Sequence, residues 1–151
     1  MRFVIFLAGA AMAASYVVTW FEPPFAGQHL SPHQVIGDDL ARIVQEGPWQ
    51  AWVFLGGFAL AAISAVVALL GRASGLLSLL AGLSPIVLIV YYYSRLEEFQ
   101  ANIGLPIEVD FSDMQSAYDL IGDMLRSGLY LYFGGAFILL VAGLAVSAGN
   151  R

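Results

Sequence analysis

Residues 51–70 read AWVFLGGFALAAISAVVALL, an unbroken stretch with no charged or histidine side chain. A helix needs roughly 20 apolar residues to cross a hydrocarbon layer about 30 Å thick. Hydrocarbon offers no partner to backbone N–H and C=O groups, so the segment must pair them internally, as a helix does. Strands would have to close a barrel and would show alternating segments of about ten residues. Residues 51–70 do not alternate, so a transmembrane helix is the reading.

Three further runs have the same character: Phe3–Trp20, Leu76–Tyr93 and Leu129–Ala148. Together they account for a chain of 151 residues that is 60% hydrophobic and only 11% charged. Ordinary soluble domains are about 45–50% apolar and about 25% charged. The expected fold class is all-α integral membrane. It is a single domain, 1–151, forming a four-helix transmembrane bundle (tetraspan) with spans at 3–20, 51–70, 76–93 and 129–148. The first run also has the outline of a secretory signal, with Arg2 ahead of an apolar stretch and small residues at Ala11-Met12-Ala13-Ala14-Ser15. We take it as a retained first helix.

Charge sets the orientation. The short ends on one side carry Arg2, Arg72 and Arg151 and no acid, whereas the long connections 21–48 and 94–127 hold all eleven acids. Four acids against Arg42 leave the first loop at −3, and seven against Arg95 and Arg126 leave the second at −5. Short arginine-rich segments stay in the cytoplasm. Both termini are therefore expected inside, and both loops in the periplasm or outside. Tryptophan and tyrosine, which favour the membrane–water boundary, agree: Trp20, Trp49, Trp52, Tyr91, Tyr92, Tyr93, Tyr130 and Tyr132 all fall at the expected outer boundary. They are read as interface anchors. All six basic residues are arginine, the usage of a GC-rich bacterial genome, which suggests a bacterial cytoplasmic (inner) membrane.

Each outer loop is expected to carry an amphipathic extramembrane helix. Ser31-Pro32-His33-Gln34 and Ser112-Asp113-Met114-Gln115 both fit a capping box. Behind them, Ile36, Leu40, Ile43 and Val44 form one helical stripe and Met114, Tyr118, Ile121 and Leu125 the other. Asp38, Asp39, Glu108, Asp110 and Asp113 would make an acidic outer cap. The two halves also share a motif, Trp52-Val53-Phe54-Leu55-Gly56-Gly57 against Tyr130-Leu131-Tyr132-Phe133-Gly134-Gly135, consistent either with duplication about an axis along the membrane normal or with convergence on an aromatic belt followed by packing residues.

The chemistry is bounded chiefly by what is missing. With no cysteine, thiol redox chemistry, disulfides and thiolate metal sites are excluded. None of the four runs contains an ionisable side chain of the kind that proton-coupled carriers and voltage sensors hold at membrane depth. Pro85 is the one helix break, freeing the carbonyl of Ala81 for a packed kink or a ligand. His29 and His33 stand four apart, but Pro32 starts the helix between them, so no metal site is expected. Glu108-Val109-Asp110-Phe111-Ser112-Asp113 lacks the calcium-loop order. No nucleotide, nucleophile-elbow or zinc-helix motif is present, and no cofactor is expected.

Small residues at helical spacing offer packing or partner faces: Gly9 and Ala13; Gly57, Ala61 and Ala65; Gly135 and Gly143. The layout resembles that of claudin-type tetraspans, whose tryptophan and paired-cysteine loop signature is absent. The function expected is non-catalytic: an accessory or assembly subunit of a membrane complex, or a homo-oligomeric scaffold. Its partners would be membrane lipids, other membrane subunits or itself, and a basic periplasmic protein. A net charge of −5 argues against nucleic acid. The alternative is a small oligomeric channel or carrier with an acidic, cation-attracting vestibule. A third reading is a membrane enzyme acting on lipid or quinone.

Overall fold

A computed structural model describes residues 1–22, 29–95, 98, 119, 122 and 125–149. The described residues are all-α: α1 (Arg2–Ala14), α2 (Pro32–Ile36), a 3-10 turn (Gly37–Asp39), α3 (Leu40–Glu46), α4 (Trp49–Leu69), α5 (Gly75–Ser94) and α6 (Ser127–Gly149). Helices α4, α5 and α6, of 21, 20 and 23 residues, are long and apolar enough to cross a membrane.

The first helix is shorter than its apolar run. It has 13 residues, about 20 Å at 1.5 Å per residue. Ser15 ends it by donating its hydroxyl back to Met12 O at 2.6 Å. The amides of Tyr16 and Val17 then reach only three residues back, to Ala13 O and Ala14 O, the tight 3-10 pattern in which helices run out. Residues 15–20 therefore belong to a turn, not to a continuous span over 3–20.

Four helices form a ring in which α1 packs against α4 and α6, and α5 packs against α4 and α6. Glycines set the close approach. A Cβ on Gly9 would meet Ala61 O at 2.6 Å, one on Gly82 would meet Ala136 O at 2.6 Å, and one on Gly135 would meet Ala8 O at 2.8 Å. Backbones in contact at these seams gain dispersion energy that larger side chains would block. The core between them is Ile5, Ala8, Met12, Phe58, Ala61, Tyr132, Ala136 and Leu139.

One end of the bundle is closed by the α4–α5 turn, where Gly71 takes a φ of +89°, a conformation that glycine adopts without cost. Arg2 Nη1 donates to Gly71 O at 3.0 Å and ties the start of α1 to that turn. Ser74 caps α5 by accepting from the Leu77 amide at 3.4 Å. The opposite end carries the tryptophans.

Candidate functional site

At the aromatic end, the segment after α1 folds back over the bundle. Trp20 is its key residue. The indole N–H donates to Ser15 O at 2.7 Å, which fixes the ring over the bundle mouth. There its ring lies 4.8 Å from that of Tyr132 and meets Phe54 edge-on at 6.0 Å, while Phe54 and Phe58 meet edge-on at 5.1 Å. Such aromatic pairs each contribute about 0.5–1.5 kcal/mol beyond area burial. The backbone around Trp20 is held from both sides: Trp20 N donates to Leu30 O at 2.8 Å, and Arg126 N donates to Trp20 O at 2.8 Å. Arg126 Nε also bonds Glu22 Oε2 at 2.6 Å, with His29 Nδ1 3.7 Å from the same oxygen.

Two of the eight aromatic residues expected as interface anchors pack against the bundle. Tyr132 is only 2% exposed, and Trp20 is half-buried against the core. Both face the bundle, not the surroundings. The reason for Tyr132 is helical phase, because it shares a face with Gly128, Gly135, Ala136 and Leu139, all buried. Trp49, Trp52, Tyr92, Tyr93 and Tyr130 are exposed. Tyr91 is half-buried, with its ring 4.7 Å from that of Trp49.

The small-residue faces are used inside the chain. Gly9, Gly57, Ala61, Ala65, Gly135 and Gly143 are buried, and Ala13 is half-buried. A Cβ on Gly143 would strike Leu79 N at 2.8 Å, and one on Gly57 would collide with Ser84 Oγ. A ring of four helices gives each helix two neighbours, and these faces serve them. As docking faces for a second subunit, Gly9, Gly57, Gly135 and Gly143 are already occupied.

Pro85 lies inside the continuous helix α5. It is buried, and Ser84 Oγ donates to the freed carbonyl of Ala81 at 2.9 Å. Beyond it the packing changes. The buried positions of α5 run from Gly75 to Leu88 and stop there, leaving Ile89, Tyr92 and Tyr93 exposed. In that last third, α5 bounds a cleft of about 450 Å³ against Trp20, Phe54, Tyr132 and Phe133. A second cavity of about 210 Å³ lies beneath α2, between Leu30, Pro32, Val35 and Ile36, and it also has Trp20 and Phe54 as walls. The Trp20–Phe54 pair is thus common to both spaces. Volumes of roughly 300–1,000 Å³ with apolar and aromatic walls are typical of small-molecule sites. Tyr132 Oη is buried beside Ser84 and has no hydrogen-bond partner among the described residues.

The first surface helix forms, but in two pieces. The capping box is present: Gln34 N donates to Ser31 Oγ at 3.3 Å, and Ser31 N donates to Gln34 Oε1 at 3.1 Å. Gly37, at φ +46°, then breaks the stripe into α2, the 3-10 turn and α3. None of α3 is buried, and Leu40 and Val44 stay exposed. Asp38 and Asp39 lie exposed on the turn, Asp39 3.9 Å from Arg42. Glu108, Asp110 and Asp113, with the Ser112 cap and most of the second expected surface helix, fall outside the described residues. His33 is exposed, its ring 5.8 Å from that of Tyr16. Among the described residues, no three histidine or acidic side chains gather into a metal-binding group. Comparison with protein-family models, curated proteins and solved structures finds no match to the chain.

Proposed function

We infer that the chain is a non-catalytic, multi-pass protein of a bacterial cytoplasmic membrane, acting as an accessory or assembly subunit of a larger complex through its aromatic, acidic end. In this reading α1 with its following turn makes a fourth crossing beside α4, α5 and α6. Both termini lie in the cytoplasm, and loops 21–48 and 94–127 lie outside.

The observation that carries the reading is the closure of the bundle interior. The seams at Gly9, Gly82 and Gly135 leave no room for even a methyl group. The buried polar groups among the described residues are five serines and Tyr132, with no ionisable acid, base or imidazole. Moving ions through the bundle would need a wider, polar or charged path. The carbonyl freed by Pro85, the natural candidate for a lining group, is already satisfied by Ser84. What remains for function is the outer surface, where α2 and α3 hold Val35, Leu40 and Val44 exposed beside Asp38 and Asp39.

A photo-crosslinking amino acid placed in turn at Asp39 and at Val141, on the side of α6, tests this in intact membranes. The expected result is one discrete heavier species from Asp39 and none from Val141. Absence of any adduct from Asp39, together with a lone monomer in mild detergent, overturns the subunit reading. Sustained ion flux through liposomes holding the purified chain overturns the closed interior.

A further inference from the structure

Residues 15–22 cover the aromatic end of the bundle without belonging to a helix, and the groups that hold them there lie on other segments. The amide of His33 donates to Tyr16 O at 3.0 Å, that of Gly128 to Thr19 O at 3.0 Å and that of Arg126 to Trp20 O at 2.8 Å. Phe21 makes antiparallel bridges with Leu30 on one side and Leu125 on the other. Glu22, the one charged side chain of the segment, accepts from Arg126 Nε at 2.6 Å, with His29 Nδ1 3.7 Å from the same oxygen. The segment thus straps the start of α2 to the start of α6.

Nothing in the strap's own sequence ends the helix before it. Ser15-Tyr16-Val17-Val18-Thr19-Trp20 contains neither glycine nor proline, the residues at which sharp helix breaks usually fall. Continued to Trp20, α1 would be about as long as α5, which has 20 residues. The two arrangements are closely matched in hydrogen bonds. As a strap, the segment leaves the amides of Val18 and Thr19 without a backbone partner among the described residues, but it satisfies those of His33 and Gly128. As a helix it would do the reverse. Val18 N would reach Ala14 O and Thr19 N would reach Ser15 O, while His33 and Gly128, in first turns that offer their amides no partner, would lose theirs. Side chains then decide the balance. β-Branching at Val17, Val18 and Thr19 weakens the helical form, and the packing of the Trp20 ring on Tyr132 and Phe54 favours the strap. We propose that residues 15–22 are a two-state strap. Latched by Glu22 and Arg126, it holds Trp20 in the bundle mouth; unlatched, it winds onto α1 and withdraws Trp20 from the wall common to the two cavities. The switch needs no protein partner and no particular orientation in a membrane. Crosslinking from Asp39 can therefore fail while the switch stands, and the reverse.

Residue-resolved hydrogen exchange on the full chain in detergent micelles tests it, because the amides of His33 and Gly128 report the strap and not their own helices. Glu22→Gln breaks the latch at a partly exposed position and leaves the core untouched. Exposed ion pairs are weak, so exchange at His33, Arg126 and Gly128 should rise together by about threefold. Glu22→Arg combined with Arg126→Glu re-forms the pair and should restore the rates at His33 and Gly128. Glu22→Gln combined with Trp20→Ala also removes the ring packing, which makes the helix the main form. Val18 and Thr19 should then exchange about tenfold more slowly than in the parent chain, with Leu139 in the core as the control for an intact bundle. Unchanged exchange at His33 and Gly128 in Glu22→Gln overturns the latch, as does a rise at Gly128 without one at His33. Val18 and Thr19 exchanging as fast as before in the double variant, with Leu139 still protected, would mean that the strap loosens without winding and overturns the switch.

Discussion

A single carbon atom separates two glycines of different kinds. A Cβ on Gly82 would lie 2.6 Å from both Ala136 O and Leu140 N, whereas one on Gly134 would have nothing within 4 Å. Overpacking a close-packed seam costs about 1–3 kcal/mol, while glycine to alanine on an open helix face gains up to about 1 kcal/mol. Gly82→Ala is therefore expected to destabilise the bundle, and Gly134→Ala to leave it equal or more stable, in reversible detergent unfolding of the two variants side by side. Tyr132 is a second case at this scale. Its hydroxyl is buried without a hydrogen-bond partner among the described residues, and an unmet buried donor costs about 1–3 kcal/mol. Tyr132→Phe removes the unmet group and keeps the ring contacts with Trp20 and Phe58. Stability should hold or rise in the same unfolding assay. A clear loss would mean that the hydroxyl bonds Ser84 and anchors α6 to α5.

Among the elements, the capping box of α2 was readable in advance, because Ser31 and Gln34 lie three apart and need only local geometry to meet. Losing such a cap costs about 1 kcal/mol. On a helix of five residues that is enough to open it. Ser31→Ala should speed hydrogen exchange at the α2 amides, Gln34 first because its amide donates to the Ser31 hydroxyl, without changing exchange in α4; unchanged protection at Gln34 would show that the cap is dispensable. Gly37 was also readable as a weak point, though not as a break, since its positive φ depends on where α3 must go. The end of α1 was hidden for a physical reason. Tyr16, Val17, Val18 and Trp20 are as apolar as the helix before them, and run length cannot distinguish a helix from a turn that buries its own backbone. The inward turn of Trp20 was illegible for the same reason, because a residue outside a regular element has no period to read. For Tyr132 the signal was available. Its spacing from Gly128, Gly135 and Leu139 places it on the packed face, whereas reading tyrosines as a boundary belt considers depth and ignores phase.

For the whole molecule, the repeated motif gains a structural counterpart. In Gly56-Gly57 of α4 and Gly134-Gly135 of α6, the first glycine is open and the second packs against a neighbouring helix. The two motifs therefore sit in the same phase on helices that run in the same direction through the ring. Neither fact says which way the bundle faces. Direction is argued from charge, with Arg2 and Arg72 at the turn end and Asp38 and Asp39 at the aromatic end. The absence of cysteine makes that argument testable without altering a reactive background. Asp39→Cys lies on the exposed 3-10 turn at the aromatic end, and Ala73→Cys lies in the turn between α4 and α5. In intact spheroplasts a membrane-impermeant maleimide is expected to label the cysteine at 39 at once, and the one at 73 only after permeabilisation. The reverse pattern would mean that three arginines in short segments had been outweighed. Labelling of both before permeabilisation would mean that α4 and α5 do not each cross the bilayer. Arg2→Glu combined with Arg72→Glu should weaken the orientation, giving a mixed population at both sites, because the bias comes from basic residues in short segments near the span ends.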